Sequence, residues 1–277
     1  MSSYKMTQGQ IQHCIESSKT HLRNSLDELE YLVDNTRDWR VKKYITEHYK
    51  DLDTIAYQCY HNNKLEGLGV TLTDTGSIIR GNTAKVSSKY REDDINDVKG
   101  FVAAYKKSVM CCKRSSITIP LIKELHRNLM MYTEPEIGGV YRSGNATILG
   151  HEDYIKFVHP SNIDKHLSKI IEDYNISVNS GARLFSACEF KTRFISIHPF
   201  ADGNGRTSRI ILNCMLISEG FIPIVIRDGE KLGYRRAMQV GYQALHEGIP
   251  GGHLPLVSIV VNDLIKGYKG INSKSFK

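Results

Sequence analysis

No apolar run in this 277-residue chain approaches the ~20 residues that a bilayer-spanning helix needs, so no membrane insertion is expected. The opening stretch, MSSYKMTQGQIQH, lacks the apolar core of a secretory leader. That predicts a soluble, cytoplasmic protein, with delivery as an effector by a signal-less route left open. Cysteine is sparse and unpatterned. The six thiols, Cys14, Cys59, Cys111, Cys112, Cys188 and Cys214, form no CxxC pair and no Cys/His ligand spacing, which excludes a zinc module and a secreted-type disulfide framework. The polar stretch VTLTDTGSIIRGNTAKVSS has neither low complexity nor an internal repeat. Charge of one sign is not concentrated: 37 Lys and Arg stand against 30 Asp and Glu, and the net +7 is spread along the chain. Without a helix-turn-helix pair or a basic stripe interleaved with aromatics, nucleic acid is not the expected partner. A nucleotide-binding enzyme with a mildly basic surface accounts for the same charge.

What the sequence does have is one dense polar stretch, HPFADGNGRTSR from His198 to Arg209, set between two apolar, helix-periodic segments. Each residue type suits a polyphosphate. Gly203, Asn204 and Gly205 tolerate backbone angles that turn consecutive N–H groups into one anion-gripping concavity. The segment RTSRIILNCMLISEG continues at helical spacing to a stop at Gly220, so the concavity opens a helix N-terminus whose dipole also favours phosphate. Arg206 and Arg209, three apart, share a helix face and are the candidate phosphate clamps. Asp202 is the candidate metal ligand, since a lone carboxylate beside phosphates is what Mg²⁺, or Mn²⁺ in its place, takes from a protein. His198, with an ordinary pKa near neutrality, is the candidate general base.

These twelve residues resemble the HxFx(D/E)GNGRxxR signature of Fic-domain proteins at every defined position. The resemblance implies a protein adenylyltransferase, an enzyme that moves AMP from ATP to a Ser, Thr or Tyr hydroxyl of a target protein. It also implies an all-α fold with one β-hairpin, the flap, over the catalytic loop. The likeness covers roughly Asp93 to Tyr268, giving an N-terminal helical extension over 1–92, a catalytic domain over 93–268 and a tail over 269–277. Gly139, Tyr141 and Arg142 look like the start of the flap, whose edge takes the target segment as an added strand.

Periodicity along the chain agrees with a mainly helical protein. Two long helices are expected from about Thr7 to Tyr60, broken at Asn35 and Thr36, with Gly67 as the C-cap after Glu66. A polar connection, VTLTDTGSIIRGNTAKVSS, follows. Helices are then expected over Asp94 to Met110 and from Thr118, an N-cap with Pro120 in the first turn, to Met131. Gly138 to Pro160 reads as a β-hairpin. Beyond it come helices from Ser161, from Ala182 to Ile197, after Gly203, from about Gly229 to His246, and in HLPLVSIVVNDLIKGY, with a loose end after Tyr268.

Two further resemblances concern regulation and the nucleotide. Cys59 to Thr73, CYHNNKLEGLGVTLT, is similar to the inhibitory segment (S/T)xxxE(G/N) of a Fic subclass: Glu66 and Gly67 match, and Asn62 stands where Ser or Thr is usual. Asn can hydrogen-bond in its stead. The implied brake is the Glu66 carboxylate on Arg209, in the place the γ-phosphate needs. KLGYRRAMQVGYQAL resembles the adenine-holding region and makes Tyr234, Arg235 and Tyr242 the candidates for adenosine. Self-modification, AMP removal at the same site, transfer of another phosphate-containing group, and a non-catalytic regulatory module are the alternatives, and a second copy of the chain is left open as a partner.

Overall fold

The computed structural model describes residues 5–86, 88–112, 117–146, 157–179 and 182–273. Eleven α-helices lie in these residues: α1 (Gln8–Asp34), α2 (Asp38–Lys50), α3 (Leu52–Glu66), α4 (Leu72–Ile79), α5 (Glu92–Cys112), α6 (Ile119–Met130), α7 (Ile163–Asn179), α8 (Arg183–Ile197), α9 (Asn204–Ser218), α10 (Lys231–Glu247) and α11 (Leu254–Ser273). The described residues contain no strand. The central part of the expected flap, residues 147–156, lies outside them. No helix among the described residues is long and apolar enough to cross a membrane.

Local chemistry accounts for the boundaries. Thr118 accepts from the Leu121 amide and Pro120 sits in the first turn of α6, as the sequence predicts. Gly67 ends α3 in the left-handed region at φ 96°. The second of the two long helices expected near the N-terminus is in fact divided: Asp51 caps Thr54 through its carboxylate and starts α3 anew. The polar connection after α3 holds a further helix, α4, because the Thr71 hydroxyl accepts from the Asp74 amide and Gly76, Thr75 and Ile78 are buried. At the other end α11 runs on to Ser273, with Ile271 buried, so order extends past Tyr268.

The chain forms two compact units that interleave in sequence. One comprises residues 1–37, 142–199 and 232–277, the other 38–141 and 200–231. In the first, α1 packs along α11, and α8 takes α7 and α11. Met6, Ile11, Ile15, Val240 and Ala244 make one cluster of its core. In the second, α5 packs against α6 and α9, and α3 against α4, α5 and α9. The apolar positions of α6, Leu121, Ile122, Leu125 and Leu129, are all buried. At ~1.5–3 kcal/mol for each large aliphatic side chain buried, this stripe is what fixes α6 in the unit. The described thiols, Cys14, Cys59, Cys188 and Cys214, are free. Burial pushes the Cys188 thiol up to about 12 and Cys59 higher still, so neither is a nucleophile at neutral pH.

Candidate active site

In the second unit, the signature's glycine-rich loop becomes the start of α9. Gly203 is its N-cap at φ 73°, where any Cβ would press within 3.1 Å of His126 Nε2 and Met130 Sδ. Asn204 and Gly205 are already helical, which corrects the expectation that all three residues adopt unusual angles. The reason is the Asn204 amide: its Oδ1 accepts from the Phe200 N–H at 3.0 Å and its Nδ2 donates to the Phe200 carbonyl at 2.8 Å, closing the loop into the helix. The N-cap is a glycine and has no side chain with which to cap α9. A helix start of this kind favours an anion through its free amides and its dipole.

The two arginines of α9 do different things. Arg206 is buried and pairs with Asp97 of α5, and its Nη2 lies 3.3 Å from Asp202 Oδ2. The Asp202 carboxylate itself is 63% exposed. Arg209 is buried against α3: Nε donates to Asn62 Oδ1 at 2.6 Å, and Nη2 donates to the Asn62 carbonyl at 3.0 Å and to Glu66 Oε1 at 2.6 Å. Glu66 also reaches the first turn of α9, since a Cβ on Gly205 would meet its Oε1 at 2.3 Å. Asn62, Glu66, Gly205 and Arg209 thus form one constellation, with Gly67 turning the chain away behind it.

One residue of this region was missed in the sequence. His126, on α6, is fully buried, accepts from the Gly139 amide at Nδ1 (2.9 Å) and sits with Nε2 2.9 Å from the Asp202 carbonyl. Its ring stacks on Phe200 at 3.7 Å and 4°. Burial pulls its pKa down to about 4. Nothing in the sequence but an imidazole on an otherwise aliphatic helical stripe could have marked it. Tyr141 lies 3.9 Å under Lys123 Nζ and near Phe200, so its ring faces α6.

In the first unit, His198 ends α8 in the left-handed region at φ 52° and ψ 62°, with its ring 4.3 Å from Phe157. Arg142, expected to face a target, is instead 7% exposed and turned inward. Its guanidinium donates to the carbonyls of His198 (2.7 Å), Gly144 (2.7 Å), Ile197 (3.3 Å) and Val158, and its amide donates to the Pro199 carbonyl at 3.0 Å. A cavity of about 430 Å³ lies beside these residues, lined by Phe157, Ile170, Arg193, Ile197, Tyr242 and His246 among others. Of the three adenosine candidates, Tyr242 lines it. Tyr234 is buried, with its hydroxyl accepting from the interior Lys191 Nζ at 2.7 Å, and Arg235 is exposed on α10.

Residues 116–216 match the sequence profile of the Fic/DOC family. Among characterised relatives, the chain is 30% identical over 207 residues to the protein adenylyltransferase Fic of Nematostella vectensis, covering 73% of this chain and 45% of that protein. With the protein of the same description from Aedes aegypti it shares 31% over 188 residues, 65% of this chain and 36% of the relative. The chain thus spans less than half the length of these relatives. Among solved structures, a Fic-domain signaling protein from Bacteroides thetaiotaomicron superposes with a TM-score of 0.71 at 20% identity, covering 93% of this chain and all of that one. Fic-1 of C. elegans superposes with a TM-score of 0.71 at 22% identity over 93% of this chain and 72% of the other.

Proposed function

From the premise that residues 116–216 are a Fic domain, carried on a Fic fold, we propose that this chain is a protein adenylyltransferase, moving AMP from ATP to a Ser, Thr or Tyr hydroxyl of a target protein. The observation that carries this reading is the N-terminus of α9. Its N-cap, Gly203, has no side chain to offer the first turn, and a carboxylate, Glu66, rests against Gly205 while Arg209 binds it. An anion is held there by a helix dipole and a guanidinium, which is what a polyphosphate needs.

On this reading the hydroxyl oxygen of the target attacks the α-phosphorus of ATP. The bond from that phosphorus to the oxygen bridging toward the β-phosphate breaks, pyrophosphate leaves, and the hydroxyl proton passes to the imidazole of His198, four residues before Asp202 in the chain. The amides of Gly203, Asn204 and Gly205 and the guanidiniums of Arg206 and Arg209 hold phosphate oxygens. Tyr234, Arg235 and Tyr242 of α10 are the residues assigned to adenosine. Residues 138–146, the start of the expected flap with Gly139, Tyr141 and Arg142, bring the acceptor segment. Asp202 fits Mg²⁺ or Mn²⁺: its carboxylate is largely exposed and next to the phosphate-binding turn, and one carboxylate suffices where water and phosphate supply the other ligands. Bound there, the ion would spread the charge of the phosphates. Glu66 acts as a brake on this transfer, the chain itself serves as one acceptor, and residues 1–92 regulate a catalytic domain over 93–268.

ATP labelled at the α-phosphate and ATP labelled at the γ-phosphate test the reading. Label should pass to protein from the α-position only. Transfer from the γ-position would make the chain a kinase, and no transfer with binding retained would make it a regulator.

A further inference from the structure

We infer that His126 is a positioning residue, a single neutral imidazole that fixes the loop carrying Asp202 and the segment beginning at Gly139 in one geometry. The inference rests on the adenylyl-transfer reading only for its kinetic arm. Its basis is the pairing of donors and acceptors around a fully buried ring. The Gly139 amide can only donate, so Nδ1, 2.9 Å away, is bare. The Asp202 carbonyl can only accept, so Nε2, also at 2.9 Å, carries the hydrogen. Both ring nitrogens are thereby assigned.

The ring is held as firmly as it holds. Phe200 lies parallel to it at 3.7 Å, and Gly203 leaves room for it where a Cβ would come within 3.1 Å of Nε2. An aliphatic residue of similar size would fill the volume but tie neither backbone group. The Asp202 carbonyl is bound immediately before Gly203 turns left-handed and opens the amides of α9, so Nε2 sets the entry to the anion site. Gly139 begins the segment assigned above to the acceptor, so Nδ1 sets that one. Nucleotide side and acceptor side share one imidazole.

Two amide variants separate the two bonds. In His126→Asn the short amide oxygen stands in for Nδ1 and keeps Gly139 while losing Asp202. In His126→Gln the longer amide nitrogen stands in for Nε2 and does the reverse. The readouts are ATP binding by calorimetry, exchange of the Gly139 amide, and the KM for acceptor protein. His126→Asn should weaken ATP binding on the order of five- to tenfold, the weight of one net hydrogen bond, and leave Gly139 protected. His126→Gln should leave ATP binding within about twofold, expose the Gly139 amide to exchange and raise the KM for acceptor, each by the loss of a single bond. If both variants lose both properties together, or neither property moves while melting stays native, the inference is overturned. ATP binding and amide exchange need no transfer chemistry, so a wild-type chain that fails to transfer AMP would remove the functional reading and leave this test standing. Should either variant fail to fold, nitrogen NMR of the wild-type ring decides alone: Nδ1 must be unprotonated and Nε2 protonated, and the opposite tautomer refutes the assignment.

Discussion

His198 is the one non-glycine among the described residues with a positive φ, and it stands before a proline, which restricts it further. Such a conformation persists only where its surroundings over-determine it. Arg142 does this by binding the carbonyls of Ile197 and His198 at the C-terminus of α8, where a cation is also favoured by the helix dipole. Two substitutions separate holding from reacting. His198→Ala should lower AMP transfer by at least the ~10²-fold of a lost general base, with ATP binding kept. Arg142→Lys retains the charge but not the fork that reaches several carbonyls at once. Its kcat should fall on the order of 10²-fold, the effect of misplacing a reacting group by about an ångström, with the KM for ATP little changed. Normal kcat for Arg142→Lys would mean that the loop keeps His198 in place by itself.

The helix that carries Glu66 is strapped by residues 224–231. Gln58 donates to the Ile224 carbonyl, Arg227 Nε to the Tyr57 hydroxyl, Lys231 Nζ to the Lys64 carbonyl, and the Asp228 amide to His61 Nδ1. His61 is held below its ordinary value near 6.5, by burial first and by the Arg227 charge second. Above that pH the ring is neutral in folded and unfolded chains alike, and the shift contributes nothing. Below it the unfolded chain binds a proton that the folded one resists, so stability falls as the pH drops from 6.5 toward the folded value. Denaturant unfolding at pH 7 and pH 5.5 should show a smaller loss for His61→Gln than for wild type, and equal losses would mean that His61 carries none of the dependence. Elements of this kind were unevenly legible in the sequence. Gly67, Thr118 with Pro120, and the start of α9 could be read because a cap or a left-handed turn demands particular residues. The division at Asp51 and the helix at Thr71 could not, since Asp and Thr occur in connections as often as at caps, and only packing decides between them. The inward turn of Arg142 and the role of His126 depend on partners distant in sequence, which periodicity does not report.

Global unfolding is where the brake can be weighed without any chemistry. If Glu66 is the brake proposed above, its contact with Arg209 denies the γ-phosphate of a bound nucleotide that guanidinium while the rest of the phosphate chain still binds. ADP has no γ-phosphate to be denied. In the wild-type chain, ATP and ADP should therefore raise the melting temperature by similar amounts. In Glu66→Gly the γ-phosphate gains Arg209, and ATP should stabilise more than ADP. Ligand linkage makes the size readable, because each tenfold gain in affinity adds ~1.4 kcal/mol at saturating nucleotide. For chains near this size a kilocalorie moves the midpoint by ~2–4 °C, well within the resolution of a thermal scan. The variant should also label itself faster with α-labelled ATP, since an α-phosphorus no longer pushed out of line can meet its acceptor. Arg209→Ala must show neither change, because it removes the clamp together with the partner of Glu66. An ATP-over-ADP difference of equal size in wild type and Glu66→Gly would mean that Glu66 does not occupy the γ-phosphate position, and the carboxylate would then be a structural ligand of Arg209 alone.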